Sequence, residues 1–174
     1  VSHHGWWSRP GRRLALAAVV PTALTGLLWY LSRRTWSAYE SVQPMSHQAE
    51  PDDSTGRTGL GSPGFWYSRR LVARLRAAHT AAGLLTVAAA VASTAARHDR
   101  GPGGPGTLDT LGWLLLAAIA AAAAVVLWVV CSRGRSENRL DHERDKHLVR
   151  RLPLSALLLV LLAALYAGWE RPGW

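Results

Sequence analysis

Four stretches of this chain are free of Asp, Glu, Lys and Arg, and dense arginine separates them. They cover residues 14–31, 77–96, 111–131 and 152–169. Hydrocarbon excludes ionised groups and water excludes long apolar runs, so a bilayer demands such segregation. A soluble four-helix protein would carry charges on one face of every helix. The shortest stretch would span ~27 Å as a helix, enough for a ~30 Å hydrocarbon core with interfacial anchors. The pattern predicts an all-α fold, an integral membrane helical bundle of four transmembrane helices forming one membrane domain over residues 1–174. Pro21 falls inside the first span and predicts a kink. Pro153 lies near the start of the fourth, where proline is tolerated.

The connections differ from one another. Residues 33–70 read as a long loop whose middle is rich in Ser, Gly, Pro, Asp and Thr, the composition of a flexible linker. The second connection holds Gly-Pro-Gly-Gly-Pro-Gly, a run of turn formers. Residues 136–151 mix both charge signs at helical spacing and predict a short charged helix leading into the fourth span.

All nine tryptophans lie in flanks or near the ends of spans, where the indole ring is shielded and its N–H finds a partner. The formal net charge of +9 is arginine almost throughout, nineteen arginines to one lysine. Those arginines flank apolar spans rather than form a folded basic domain, so nucleic acid is not the expected partner and the lipid bilayer is. The first and third connections carry seven basic residues each. The N-terminal flank carries three, the second connection two and the C-terminal tail one. The positive-inside rule then puts the first and third connections in the cytoplasm and both termini outside. Abundant Arg, Ala, Gly and Pro have GC-rich codons, which suggests the plasma membrane of a bacterium. One local feature opposes this orientation: three arginines precede the first span and only two follow it at once. Arg12-Arg13 before an apolar run, with Thr35-Trp36-Ser37 beyond it, leaves a cleaved signal segment as the competing reading.

Candidate chemistry is sparse. In the second span Ala78, Ala82, Thr86, Ala90 and Thr94 recur every four residues, and Gly83 widens that surface. A small face lets helix backbones approach closely, which drives association in lipid. The expectation is a helix-packing interface, either with a partner (another membrane protein or a second copy) or within the chain's own bundle. In the third span Ala117, Ala120, Ala121 and Ala124 are the counterpart in the second case, and the leucine-rich fourth span would face lipid. His79 is the one intramembrane histidine, one turn from Gly83, and is the candidate axial ligand of a b-type haem. A second ligand would have to come from His142 or His147 outside the membrane. Histidines 142 and 147 fail the zinc-protease spacing, because five residues turn them ~140° apart on a helix. Glu143 and His147 share a face and are the remaining weak metal candidates, against a plain solvated surface. Val1-Ser2-His3 would make a square-planar copper or nickel site if that amine is free.

Cys131 is the single cysteine, so neither an intrachain disulfide nor a cysteine-based zinc site can form from this chain alone. There is no glycine-rich phosphate loop, no nucleophile elbow and no carboxylate at mid-membrane. An autonomous ion-coupled transporter is therefore disfavoured. Neither cofactor nor catalytic residues are expected. Two classes stay open. One is a non-enzymatic membrane protein acting by contact, as an accessory subunit, assembly factor or regulator. The other is a haem protein using His79.

Overall fold

The structure, a computed structural model, describes residues 9–40, 68–101, 106–131 and 141–171. These residues form an all-α bundle, with no strand among them. The elements are α1 (Pro10–Ala17), α2 (Val19–Glu40), α3 (Ser68–Asp99), α4 (Gly106–Cys131) and α5 (Asp141–Gly168). Four helical segments are long and apolar enough to cross a membrane: Pro10–Thr35, Val72–Asp99, Gly106–Cys131 and Val149–Gly168.

The first span is broken at Ala18 into α1 and α2. Pro21 is the cause, because its missing N–H and its ring both fall on the carbonyl of Ala17. Threonine hydroxyls support the repaired turn: Thr22 Oγ1 donates to Ala18 O at 2.7 Å and Thr25 Oγ1 to Pro21 O at 2.8 Å. Pro10 opens α1 at a position where its absent N–H costs nothing.

The helices extend beyond the apolar blocks. α2 runs to Glu40 and α3 begins at Ser68, so both ends of the expected loop at 33–70 are helical; its middle lies outside the described residues. The charged segment from Asp141 is continuous with the fourth span rather than a separate helix. Residues 136–140 lie outside the described residues.

α3 is the central helix. Of its membrane window 44% is buried, against 6% for the first span and 17% for α4. The core joins α3 to α5 and α4, and it is built from small side chains. Ala81, Ala88, Ala92, Ala95 and Ala96 of α3 share one cluster with Ala156, Val160, Ala163 and Ala167 of α5. The same cluster holds Ala18, Ala78, Leu84, Leu85 and Val91, Ile119, Val126 and Val129 of α4, and Leu152 and Tyr166 of α5. Alanine on both sides lets the axes of α3 and α5 come close, which is how helices gain contact where lipid offers no hydrophobic drive. The fourth span is thus a core element along one face. Its other face is exposed: Leu158 and Leu161 are 56% and 53% accessible. The expected counterpart face on α4 does not pack, since Ala117, Ala120, Ala121 and Ala124 are all exposed.

Two polar levels bound the bundle. At one, Arg9 and Arg12 of the N-terminal flank meet Glu170, and Arg100 lies 3.7 Å from Asp109. At the other, Arg76 Nη1 of α3 donates to Ser32 O of α2 at 2.7 Å. From Arg13 to Arg33, or from Arg151 to Glu170, the helix advances about 30 Å, the thickness of a bilayer's hydrocarbon core. The N-terminal flank, the α3–α4 connection and the C-terminal tail therefore share one end of the bundle.

Candidate functional site

Two places on this scaffold concentrate unusual side chains: the outward face of α3, and a buried polar node where α3, α4, α5 and the tail converge.

Helical geometry turns each residue 100° from the last, so the α3 positions 82, 86, 90 and 94 lie on the side away from the core positions 81, 88, 92 and 95. The structure places Ala82, Thr86, Ala90 and Thr94 exposed, while Ala78, at the edge of the same stripe, is buried. Ala82, Thr86, Ala90 and Thr94 thus lie outside the chain's own core, while Ala78 packs in it with the alanines at 81, 88, 92, 95 and 96. Gly83 lies on the stripe's own side of α3, and a Cβ added there would sit 3.5 Å from Thr25 Cγ2 of α2, so α2 approaches this part of the face in ordinary contact. The hydroxyls of the stripe are satisfied locally: Thr86 Oγ1 donates to Ala82 O at 2.9 Å and Thr94 Oγ1 to Ala90 O at 2.8 Å. The face is smooth and carries no unmet hydrogen-bonding demand, so a second helix can lie against it.

The exposed faces of α2 and α5 differ in kind, presenting Val19, Val20, Leu24 and Leu28 on α2 and Leu158, Leu161 and Leu165 on α5. α4 is mixed, exposing Leu114, Leu127 and Trp128 together with Ala117, Ala120, Ala121 and Ala124. From position 79 to 97 the outward side of α3 offers no large apolar side chain.

His79 is exposed at the arginine-rich end of this face, and its Nδ1 lies 2.8 Å from Leu75 O. A carbonyl only accepts, so Nδ1 carries the proton and Nε2 is the nitrogen that could ligate. His147 is exposed on α5. The side chains of His142 and Glu143 lie outside the described residues, as does Val1-Ser2-His3. Among the described residues no three metal-ligating side chains cluster.

Compared with known protein families, curated proteins and solved structures, the chain matches none. Its chemistry rests on its own geometry.

The polar node is that geometry's second feature. Asp99 closes α3, and its carboxylate is fully buried together with Arg171 of the tail. Arg171 Nε donates to Asp99 Oδ1 at 2.6 Å and Nη2 to Oδ2 at 3.0 Å, a bidentate pair. Arg171 Nη1 donates to Ala167 O at 3.1 Å and Trp169 O at 3.2 Å, capping carbonyls at the end of α5. The Tyr166 hydroxyl sits between Asp99 Oδ2 and Leu108 O, the latter 3.1 Å away. Its single proton serves one acceptor at a time. The guanidinium also lies 4.6 Å from the centroid of the Tyr166 ring.

Gly112 of α4 makes room for this arrangement. A Cβ there would come within 2.5 Å of Tyr166 Oη and 3.1 Å of Ala96 Cβ. The node is charge-balanced, with hydrogen bonds to both carboxylate oxygens. Its chemistry is that of a clasp joining three helices to the tail. Reading the spans alone missed it, because its charges lie one turn beyond the apolar blocks. The usable signal was the occurrence of Asp99 and Arg171, opposite in sign, just past two spans that exit on the same side.

Proposed function

We propose that this chain is a non-enzymatic polytopic membrane protein that acts by contact, through the outward face of α3, as an accessory subunit, assembly factor or regulator of a membrane complex. The observation carrying this reading is the contrast between Ala82, Thr86, Ala90 and Thr94 and the leucine-rich exposed faces of the first span and α5. A lipid-facing surface gains from large apolar groups, and alanine contributes little to insertion. A small, internally hydrogen-bonded face gains most where another backbone can approach. Residence in a bacterial plasma membrane with external termini is part of the same proposal, supported by the abundance of residue types with GC-rich codons and by the distribution of arginine.

A photoreactive residue at Thr86 or Ala90, in the full chain in native membranes, tests the contact. We expect discrete protein adducts from these sites and lipid adducts from the same probe at Leu158. Lipid adducts alone from all three positions would contradict the proposal.

A further inference from the structure

The first span meets α3 along only part of its length. Arg76 Nη1 donates to Ser32 O at 2.7 Å, and a Cβ on Gly83 would meet Thr25 Cγ2 at 3.5 Å. Ser32 and Thr25 are seven positions apart on α2, and Arg76 and Gly83 are seven apart on α3. The two helices therefore run antiparallel in register, with Pro21 level with Val87. Beyond Pro21 the first span changes neighbour: α2 packs on α3, whereas α1 packs chiefly on α5. The burial of α3 follows this change. Arg76, Thr80, Gly83 and Val87, on the side towards α2, are half-buried, while Ala90 and Thr94, further along that side, are exposed. The break at Pro21 thus leaves α3 open from Ala90 to its end.

On this side His79, Gly83, Thr86, Ala90, Ser93 and Arg97 recur at alternating steps of four and three, the seam of two helices packed nearly parallel. Its middle is small and its ends are polar. Arg97 is exposed and makes no hydrogen bond or ion pair with another described residue. The sequence puts three carboxylates at this end of the bundle, and arginines already meet each: Asp99 with Arg171, Asp109 with Arg100, Glu170 with Arg9 and Arg12. A second copy inserted the same way and packed seam to seam would set Arg97 against Arg97, with no spare carboxylate between them. We propose that the helix lying on this seam belongs to a different membrane protein and carries an aspartate or glutamate at the level of Arg97. Small residues let the two backbones approach between the ends. The carboxylate answers Arg97 at the membrane edge, where it fixes the depth and direction of the partner helix. This inference rests on the contact reading above and adds the chemistry and register of the partner.

The test uses the full chain in native membranes with a photoreactive residue at Ala90 or Thr94. Adducts are digested and the attached peptide is sequenced by mass spectrometry. We expect an apolar span of another protein, with Asp or Glu within about two turns of the attachment point, the distance from Ala90 to Arg97. R97E should cut the adduct yield from Ala90 about threefold or more, and R97K should retain it. Exchanging the partner's carboxylate for arginine should restore the yield in R97E. Lipid adducts alone from the unaltered seam would overturn the contact reading and this inference together. Four results would overturn the inference and leave the contact standing: a yield that R97E leaves unchanged, equal loss in R97K and R97E, an attached peptide from a second copy of this chain, or one with no acidic residue at that level. Should R97E fail to accumulate, R97Q decides, a reduced yield supporting the pairing and an unchanged one overturning it.

Discussion

Asp99 and Arg171 form a buried ion pair in which each charge depends on the other. Removing one partner leaves the other desolvated and unpaired, which in buried pairs costs ~3–5 kcal/mol. Asp99→Asn should therefore lower the melting point in detergent sharply. Replacing both residues with leucine should cost far less, since no lone charge remains. Equal melting of D99N and wild type would show that the clasp is open in the membrane. Gly112 and Tyr166 give a second residue-level prediction. A methyl at position 112 drives into the Tyr166 hydroxyl, and overpacking of this kind costs ~1–3 kcal/mol. Tyr166→Phe removes the oxygen that is struck, so Gly112→Ala should cost less in the Y166F background than alone. Additive costs in that double-mutant cycle would contradict the contact.

The four spans were legible in the sequence because their signal is length and charge exclusion, which no tertiary detail can reverse. The Pro21 break was legible for the same reason, since a missing N–H acts locally. Which face of α3 enters the core was not. Ten of the residues from 77 to 96 are alanine, so small residues recur every four positions in more than one register, and periodicity alone cannot choose among them. Leu84, Leu85, Val91 and Asp99 mark the side that is buried. The few large groups on a mostly alanine helix set its orientation, and the alanines around them set how closely α5 approaches. α5 itself was misplaced at the lipid boundary because its leucines outnumber Ala156, Ala163 and Ala167, which form its packed stripe. This difference predicts a contrast between neighbouring substitutions. Ala88→Leu or Ala92→Leu should wedge α3 from α5 and cost ~1–3 kcal/mol or more. Ala82→Leu and Ala90→Leu should leave the melting of the isolated chain within ~0.5 kcal/mol of wild type, as exposed substitutions do. Leu158→Ala and Leu161→Ala should also be mild. A large loss of stability in A90L and none in A88L would invert the assigned faces.

At the scale of the whole molecule, the two polar levels lie about 30 Å apart, the depth of a bilayer's hydrocarbon core, and four helices are long and apolar enough to cross it. The ion pairs Arg9–Glu170 and Arg171–Asp99 bring the N-terminal flank, the α3–α4 connection and the tail to one side. Exposed pairs such as Arg9–Glu170 contribute little energy, so the shared side follows from the even number of spans and the buried node secures it. The orientation we propose from the arginine distribution puts that side outside the cell. The most direct test of this account is a set of topology reporters fused at Gly61, Gly104, Gly134 and the C-terminus of the full chain. Gly104 and the C-terminus should report one compartment, the exterior, while Gly61 and Gly134 report the cytoplasm. A C-terminus found in the opposite compartment from Gly104 would contradict the four-span bundle and the node that joins those two segments.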